Sequence, residues 1–317
     1  MRILVTGSSG HLGEALMRSL EGGPHEAIGL DVLPSPFTTH VGSITDAGFV
    51  RRCMQGVDAV LHAATLHKPH VATHGDRIFV DTNILGTLHL LEAAVAAGVG
   101  GFVFTSTTST FGDALTPPAS APAAWITEAV VPMPKNIYGV TKVAAEDLCQ
   151  LFSRNRGLPC IVLRTSRFFP EDDDNPAMLR AYGDANNLKL NEFLHRRVDI
   201  EDVVSAHLLA LERAPSLKFA KFIISATTPF TESDGAQLRL DPSALLRGRF
   251  PAFEAIYAAH GWKAPHDIDR VYVNARARAE LGWRPLYDFE RMLQLVHDGL
   301  PPSSELARLV GAKGYHR

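Results

Sequence analysis

Short apolar runs alternate with longer stretches of helical periodicity along the first half of the chain. The apolar runs predict strands at residues 2–6, 26–31, 59–62, 101–106 and 160–164. Between them, apolar positions that recur every three or four residues predict helices at residues 11–20, 80–97 and 138–155. Strands separated by helices predict an α/β fold with a Rossmann-type, doubly wound parallel sheet.

Two segments interrupt this alternation. Residues 116–134 are rich in proline and have few periodic apolar positions, so they predict a loop that could serve as a substrate lid. Residues 169–187 begin irregularly and carry an acidic run at 171–174, a composition typical of a solvated loop. Further along, the chain mixes a strand at 218–225 with several short helices, which predicts a smaller C-terminal substrate-binding lobe.

Composition and charge narrow the function classes. The chain has 317 residues, of which 46% are hydrophobic and 21% charged, as in an ordinary globular protein. A net charge of −3 gives no electrostatic support for a nucleic-acid partner. Cys53, Cys149 and Cys160 have neither metal-site nor disulfide spacing, which fits reduced thiols in the cytosol. No leader and no run of about 18 apolar residues is apparent, so we expect a cytoplasmic protein without a membrane segment.

A glycine-rich turn follows the first predicted strand directly. Its glycines are spaced G-x-x-G-x-x-G, and a turn of this kind between a strand and a helix can bring the backbone close to a dinucleotide pyrophosphate. The helix start then supplies unbonded N–H groups and a partial positive charge. The predicted cofactor contacts in this turn are Gly7, Ser9, Gly10, His11, Leu12 and Gly13.

Asp31 ends the second predicted strand, 24 positions after Gly7. A carboxylate there can accept hydrogen bonds from the ribose hydroxyls and would repel a 2′-phosphate, so it favours NAD over NADP. An aspartate that caps a helix or stabilises a turn is the alternative.

Tyr138 and Lys142 begin the long helix predicted at 138–155. Residues four apart lie on one helix face, so the lysine lies one turn from the tyrosine. A phenol beside a cation can move a proton at a carbinol oxygen. Together with the glycine turn, this pair indicates a nicotinamide enzyme. We therefore divide the chain into an NAD-binding Rossmann domain at 1–165, to which 191–225 return, and a substrate-binding lobe and tail at 166–190 and 226–317.

At this point the chain resembles the extended short-chain dehydrogenase/reductase family, the nucleotide-sugar epimerase and dehydratase group. The resemblance runs from Ile3 to about Pro285. Besides the glycine turn and the tyrosine motif, it depends on these further segments in order: Asp31, His62-Ala63-Ala64, Asn83 with Gly86-Thr87, Phe111-Gly112, Leu163-Arg164, Val198-Asp199-Ile200-Glu201-Asp202-Val203 and Leu281-Gly282-Trp283-Arg284-Pro285.

The resemblance implies roles for individual residues. Tyr138 would be the general acid/base, and Lys142, together with the positive nicotinamide, would lower its pKa and also hold the nicotinamide ribose. A hydroxyl four residues before the aromatic-glycine pair would bond the reacting oxygen, which points to Thr107, although neighbouring hydroxyls allow the register to slip by one. On the cofactor side the resemblance implies Ala63, Ala64, Asn83 and Thr105, and on the substrate side Thr108.

The chain also departs from the family pattern. The acidic pair that dehydratases carry after the catalytic threonine is replaced by Thr108 and Ser109, so we expect no dehydratase activity. Arg167 stands where an asparagine usually helps to hold the sugar nucleotide, and the stretch from 170 to 199 is too short for a convincing nucleotide clamp. Because a guanidinium suits a carboxylate, a free sugar acid is a plausible substrate. A structural pairing of Arg167 with the acidic run is the alternative.

Histidines crowd the segment after His62. His67, Lys68 and His70 are predicted to form a pocket wall that contacts an anionic or polyhydroxylated substrate, and a plain surface loop is the alternative. We expect no metal, because His67, His70 and His74 have no cysteine or paired carboxylate nearby.

Three functions remain open on the sequence. The preferred one is an NAD-dependent oxidoreductase acting on a sugar or sugar acid with net hydride transfer. The second is a nucleotide-sugar epimerase that recycles its NAD internally, and the third is a non-catalytic NAD-sensing protein. In each case we expect a small-molecule ligand, no nucleic acid, no membrane, and a homodimer formed through the helices near 84–97 and 138–155.

Overall fold

The computed structural model describes residues 1–118, 120–170, 180 and 182–314. Seven parallel strands form the main sheet in the order β3-β2-β1-β4-β5-β7-β8. The strands of this sheet are β1 (Arg2–Thr6), β2 (Glu26–Asp31), β3 (His40–Val41), β4 (Ala59–His62), β5 (Gly101–Thr107), β7 (Cys160–Thr165) and β8 (Phe219–Ile224). The strand order reverses direction at β1, so the predicted doubly wound Rossmann-type sheet is confirmed.

Helices cover both faces of this sheet. On one face, His11–Leu20 and Ile200–Leu217 bury a core with Val5, Leu61 and Val103. On the other face, Ala47–Cys53, Gly86–Ala97 and Ile137–Arg156 pack on Leu4, Val60, Phe102 and Phe104. Successive strand residues thus point to opposite cores, as the pleat requires.

The helix before β5 starts earlier than the sequence pattern predicts. It runs without a break from Asp76 to Ala97, and its turns at Val80–Leu85 are widened into a π-helix. By length and composition alone, with mean hydropathy 1.3, this one described helix could span a membrane, although it holds no unbroken run of about 18 apolar residues. In the sequence we searched for an unbroken apolar run, whereas the mean hydropathy of a helix can stay high although polar residues interrupt it. Leu90, Leu91 and Ala94 are fully buried against the sheet, as in a core helix.

A second, smaller sheet pairs β6 (Ala124–Ile126) in parallel with β9 (Arg270–Tyr272). β6 lies inside the segment predicted to be only a loop, and this prediction was wrong for those three residues. Their partner strand is more than 140 positions away, so no local pattern could reveal the pairing. Among the described residues, the helices around this sheet are Ala185–Phe193, Gly235–Leu240, Pro242–Arg249, Phe253–His260 and Phe289–His297. The last helix, Glu305–Val310, packs instead on His11–Leu20 and Ile200–Leu217.

The lobe has its own core, which includes Phe193, Phe230, Phe253 and Phe289. Leu194 still belongs to that core, whereas Val198 packs beneath the main sheet, so the chain crosses from one to the other between them. The proposed boundaries at 165, 190 and 225 stay a prediction.

Candidate active site

The site lies at the carboxyl edge of the main sheet, where parallel strands end side by side. Thr6, Asp31, His62, Thr107 and Thr165 are each the last residue of a strand. Thr6 pairs in register with His62, and Thr107 pairs with Thr165. The edge therefore collects polar side chains from five strands.

Two glycines of the glycine turn have no room for a side chain. Gly7 has φ +76°, and a Cβ there would lie 2.8 Å from the Ala64 nitrogen. A Cβ on Gly13 would lie 1.8 Å from the Gly7 oxygen. Ala64 is held against the turn because its N–H donates to Thr6 Oγ1 at 3.2 Å. The turn and the segment after β4 thus lie against one another, and the predicted cofactor contacts of Ala63 and Ala64 stay a prediction.

The start of the His11–Leu20 helix fits a pyrophosphate. Its N-cap is Gly10, whose lack of a side chain leaves the first N–H groups of the helix without a side-chain acceptor. Ser9 Oγ is buried and has no hydrogen-bond partner among the described residues. Because a buried hydroxyl needs a hydrogen-bond partner and the N–H groups of a helix start attract anions, these residues can hold the pyrophosphate, with Leu12 buried behind them.

Asp31 lies beside the same turn, at the end of β2. Its carboxylate accepts from the Ser9 N–H at 3.0 Å and from the Leu33 N–H at 3.0 Å. The turn-stabilising role that the sequence left open is thus present. A carboxylate has about four lone-pair sites, so two remain for ribose hydroxyls.

Tyr138 lies in the first turn of the Ile137–Arg156 helix, which Asn136 caps by accepting from the Gly139 N–H at 3.1 Å. The Tyr138 side chain is buried and lies next to the Thr107 side chain, which acts to lower its pKa. The neighbouring hydroxyls are bonded elsewhere, that of Thr105 to His207 Nε2 at 2.8 Å and that of Ser106 to Glu146 at 2.6 Å. The structure therefore brings Thr107 to the tyrosine and does not bring the Thr105 hydroxyl to the site.

Burial governs the ionisation of both catalytic candidates. It raises the pKa of Tyr138 to about 12, although the bond from Thr107 acts in the opposite direction. Burial also lowers the pKa of Lys142 to about 7, against the charge of Glu146 one turn further along the helix. The expected lowering of the pKa of Tyr138 by Lys142 does not appear in the protein alone, where burial raises this pKa and the Thr107 side chain acts against burial. The other contribution invoked, the positive charge of the nicotinamide, comes with the cofactor.

Lys142 is fixed in place by the strand beside it. Its Nζ donates to the Thr105 carbonyl oxygen at 2.6 Å and lies 4.1 Å from the centroid of the Phe104 ring. Thr105 thus contributes through its backbone, by orienting the lysine, and its predicted cofactor contact stays a prediction.

Asn83, in the π-helical turn, joins the pocket wall to the catalytic helix. Its Oδ1 accepts from the Leu66 N–H at 2.8 Å and from the Thr65 hydroxyl at 2.9 Å. Its Nδ2 donates to the Leu66 carbonyl at 3.1 Å and to Thr141 Oγ1 at 3.0 Å, and the Thr141 hydroxyl donates to the Tyr138 carbonyl. All the hydrogen-bonding capacity of this amide is used to set the distance between residue 66 and the tyrosine.

His62 is a site residue whose role the sequence did not reveal. Its Nδ1 shares a hydrogen bond with Thr6 Oγ1 at 2.7 Å, and its Nε2 shares one with Thr87 Oγ1 at 2.9 Å. Burial, and then the charge of Lys142, lower its pKa well below the ordinary value, so the ring stays neutral. The neutral ring connects the end of β1 to the helix that carries Asn83. In the sequence, the position of His62 directly before Ala63-Ala64 was the feature that could have indicated this role.

Glu146 was also missed. Its fully buried carboxylate binds Arg164 through two oxygens, with Nε–Oε1 at 3.0 Å and Nη2–Oε2 at 2.6 Å, and Lys221 Nζ lies 3.1 Å from Oε2. The signal was an acidic residue four positions after Lys142, on the face of the helix that packs on the sheet.

The segment after Ala64 lies next to the catalytic tyrosine. The ring centroids of His67 and Tyr138 are 6.4 Å apart, and His70 Nδ1 accepts from the His67 N–H at 2.8 Å. Lys68 is exposed, and the short helix Lys68–Ala72 starts with it. No group of three potential metal ligands occurs within the described ranges. His67 is thus placed to contact a substrate at Tyr138. Thr108 follows Thr107 directly in the chain and is buried just after β5.

Arg167 follows β7 and binds a carboxylate of the protein itself. Its Nη1 lies 3.2 Å from Glu192 Oε1, and its guanidinium lies 5.0 Å from the centroid of the Phe169 ring. The acidic run at 171–174, its other suggested partner, lies outside the described residues. The predicted contact of Arg167 with a substrate carboxylate stays a prediction.

Comparison with known proteins agrees with this geometry. The model of the NAD dependent epimerase/dehydratase family matches residues 3–221. UDP-glucose 4-epimerase of Streptomyces lividans is 28% identical over 68% of this chain and 72% of its own length. 3-beta-hydroxysteroid dehydrogenase of Mycolicibacterium neoaurum is 25% identical over 99% of this chain and 94% of its own length. A short-chain dehydrogenase/reductase superfamily protein from Agrobacterium tumefaciens, solved with bound NAD, has a TM-score of 0.67 at 25% identity and covers 94% of this chain and 96% of its own. The resemblance found in the sequence is confirmed, and the cofactor is NAD.

Proposed function

Because the chain belongs to the NAD dependent epimerase/dehydratase family, we propose that it is a dehydrogenase that oxidises a hydroxyl-bearing carbon of a free sugar or sugar acid. The observation that carries this proposal is the placement of the Thr107 hydroxyl next to the buried Tyr138 at the carboxyl edge, with Lys142 one helical turn away. Sensing NAD without catalysis would not require this arrangement, so it weighs against a purely non-catalytic function.

Tyr138, Thr107 and Lys142 have different roles in the oxidation of one substrate carbon. Bound NAD⁺ would supply the acceptor for the hydride. Tyr138 takes the proton of the substrate hydroxyl at its phenolic oxygen, and Thr107 donates a hydrogen bond to that same substrate oxygen as it becomes a carbonyl. Lys142 supplies a positive charge that favours the phenolate. The substrate thus loses two electrons and two hydrogens, one as hydride and one as a proton that passes to solvent.

Two observations support a substrate smaller than a nucleotide sugar. Arg167 replaces the asparagine that usually helps to hold the nucleotide, and it already binds Glu192. The segment between 170 and 199 is short. The epimerase from Streptomyces favours the alternative of a nucleotide-sugar epimerase, and the steroid dehydrogenase shows that net oxidation also occurs among relatives of this chain.

One assay separates the functions. The purified protein is given NAD with aldoses, uronic acids or UDP-sugars, and NADH is followed by near-ultraviolet absorbance. We expect sustained NADH formation with a free sugar or sugar acid, and a loss of at least ~100-fold in Tyr138→Phe while NAD binding persists. Interconversion of a UDP-sugar without NADH formation would establish the epimerase instead. Undiminished turnover by Tyr138→Phe would refute the role of the tyrosine, and NAD binding without any turnover would favour a sensor.

A further inference from the structure

The last three residues of β5 extend beyond the neighbouring strand β4. On the β4 side the pairing ends at His62 with Phe104, whereas on the β7 side it continues to Thr107 with Thr165. Within the described part of the chain, strand pairing therefore holds residues 105–107 on one side only. We call these three residues the β5 overhang. Because the Thr107 hydroxyl belongs to the overhang, its position depends on what holds the neighbouring side chains.

His207 holds the first residue of the overhang from one face of the sheet. This histidine lies in the Ile200–Leu217 helix and is 0% exposed. Its Nδ1 shares a hydrogen bond with the Val203 carbonyl oxygen at 2.8 Å, and its Nε2 shares one with Thr105 Oγ1 at 2.8 Å. A carbonyl oxygen can only accept, so Nδ1 carries the proton. Burial lowers the pKa of His207 to about 4, so the ring is neutral and its Nε2 accepts from the Thr105 hydroxyl.

The hydrogen bond between His207 and Thr105 lies beside an apolar core. Val203 and Ala206 of the helix belong to the same core as Val103 of β5. Apolar contacts tolerate small displacements between a helix and a sheet, because they have no preferred direction. A buried hydrogen bond weakens steeply with distance and angle, and breaking it leaves two buried polar groups without a partner. The bond therefore fixes the position of Thr105 relative to the helix.

Glu146 holds the second residue of the overhang from the opposite face. Ser106 Oγ donates to Glu146 Oε1 at 2.6 Å. Arg164, which pairs in register with Ser106, donates to the same carboxylate at 2.6 Å. Successive residues of a strand point to opposite faces, so Thr105 and Ser106 are held from the two sides of the sheet. The overhang is thus restrained against rotation about its own axis, and its next residue is Thr107.

The overhang places two of the three catalytic side chains. The Thr105 carbonyl oxygen accepts from Lys142 Nζ at 2.6 Å, and the Thr107 side chain lies next to Tyr138. Thr105 and Thr107 are two positions apart on an extended strand, so about 7 Å separates them. A displacement of Thr105 therefore moves both the carbonyl that orients the lysine and the hydroxyl beside the tyrosine. Misplacement of reacting groups by roughly 1 Å can lower a rate about 100-fold.

We propose that His207 is a positioning residue of the reaction and that it acts by fixing the β5 overhang through the Thr105 hydroxyl. The placement of the Lys142 ammonium and of the Thr107 hydroxyl follows from this contact. The inference depends on the proposed function, because it concerns the same catalytic side chains. His207 itself is enclosed between the helix and the sheet and acts through Thr105, not on the substrate.

The test compares three changes at this contact with a matched control. Thr105→Val removes the hydroxyl and keeps the shape of the side chain, Thr105→Ser keeps the hydroxyl, and His207→Leu removes the acceptor. The control is Tyr257→Phe, which removes one buried hydrogen bond, to Asn191 Oδ1 at 2.9 Å, in the core of the lobe. Thr105→Val and Tyr257→Phe should both lower the urea midpoint of unfolding, since each removes a buried hydrogen bond.

Steady-state rates are measured with NAD and the sugar or sugar acid that gives the most NADH. We expect Thr105→Val to lower kcat about tenfold and to change both KM values less than twofold, because the groups that bind are present but misplaced. Thr105→Ser should recover most of kcat. Tyr257→Phe should keep the kcat of the wild type although it is less stable, and a merely structural role of Thr105 would give the same result for Thr105→Val.

The double variant Thr105→Val/His207→Leu completes a double-mutant cycle. Because both single changes break the same hydrogen bond, the double variant should lose about as much kcat as either single variant. Additive losses would show that the two residues act separately and would overturn the proposal. The comparison of Thr105→Val with Thr105→Ser needs no variant of His207, so it decides the matter even where His207→Leu does not fold. A kcat of Thr105→Val within twofold of the wild type would also overturn the proposal.

NMR titration of protein with ¹³C-labelled lysine gives a reading that needs no turnover, with the Lys142 signal assigned through Lys142→Met. Burial places the pKa of Lys142 at about 7 in the wild type. Moving the Thr105 carbonyl away from Nζ removes an acceptor that favours the ammonium. The titration midpoint should therefore fall by roughly half a pH unit in Thr105→Val and stay unchanged in Tyr257→Phe.

The other ionisable groups near Lys142 stay the same in these variants. Among the described residues they are Tyr138, Glu146 and Cys149 on its own helix and His62 at the end of β4. A lowered midpoint in a protein that oxidises no sugar would retain the positioning contact and reject the proposed reaction. An unchanged midpoint would overturn the positioning role of His207, whatever the protein oxidises.

Discussion

Replacement of Glu146 by glutamine tests how much the buried charge pair beside Lys142 contributes to the fold. The Glu146 and Arg164 side chains are 0% and 3% exposed and share three hydrogen bonds. Glutamine keeps the shape of the side chain but leaves the guanidinium without a counter-charge. Breaking one partner of a buried pair costs roughly 3–5 kcal/mol, a large share of the 5–15 kcal/mol that stabilises a typical domain.

We expect Glu146→Gln to lose about 3 kcal/mol, at the low end of that range because the amide oxygen can still accept a hydrogen bond. Urea unfolding of the cofactor-free protein measures the loss, with Glu290→Gln on the exposed surface as a control that changes stability by less than about 0.5 kcal/mol. The double variant Glu146→Gln/Arg164→Met should be more stable than Glu146→Gln, since it leaves no guanidinium buried without a partner. A loss below about 1 kcal/mol for Glu146→Gln would refute the reasoning.

The pH dependence gives an independent check. Burial would raise the pKa of Glu146, but the hydrogen bond and charge of Arg164, together with Lys221 and Ser106, outweigh burial and hold this pKa below its ordinary value of 4.5. A carboxyl group with a lowered pKa in the folded state contributes its full stability above the unfolded pKa and loses it as the pH falls through the folded pKa. The difference between wild type and Glu146→Gln should therefore be constant above about pH 5 and shrink below pH 4.5.

Three further predictions concern the cofactor and the assembly. NAD should raise the melting temperature more than NADP at equal concentration, because Asp31 would repel a 2′-phosphate; equal shifts would count against this role. Gly13→Ala should abolish NAD binding measured by fluorescence titration, since its Cβ would lie 1.8 Å from the Gly7 oxygen, whereas Gly22→Ala, with open space around it but a positive φ, should cost only some stability. The homodimer that we propose would bury Val95, Val140 and Leu151, which are exposed on the Gly86–Ala97 and Ile137–Arg156 helices. Leu151→Glu should then halve the mass measured by light scattering, and a wild type that is already monomeric at micromolar concentration would contradict the proposal.

The sequence predicts best what depends on short-range patterns. Most strands of the main sheet are short, largely apolar runs, and the residues of the glycine turn and of the tyrosine helix occur in fixed spacings, so both could be predicted from the sequence. The two-residue strand His40–Val41 has no such pattern and was not predicted. Thr107 could be placed only to within one residue, because Thr105, Ser106 and Thr108 carry similar hydroxyls. Only the fold shows that Thr105 and Ser106 bond elsewhere.

What the sequence misses depends on contacts between distant segments. The partner of Ala124–Ile126 comes from the other end of the lobe, and the Glu146 carboxylate meets Arg164 and Lys221 from two different strands. The lowered pKa of Lys142 could not be read from its spacing to Tyr138, because it follows from burial between a helix and a strand. Such effects require the packed structure, since a linear pattern carries no information about how much water reaches a side chain.

The hydrogen bonds of Asn83 separate substrate preference from catalysis, two properties that often interfere when enzymes diversify. This amide is hydrogen-bonded to the backbone at Leu66 and to Thr141 of the helix, yet it forms no hydrogen bond with a side chain between residues 67 and 74. The histidines of the pocket wall can therefore be replaced by other residues while the backbone at Leu66 stays attached to the catalytic helix. Substrate preference at this wall can therefore change during evolution without displacing the catalytic Tyr138.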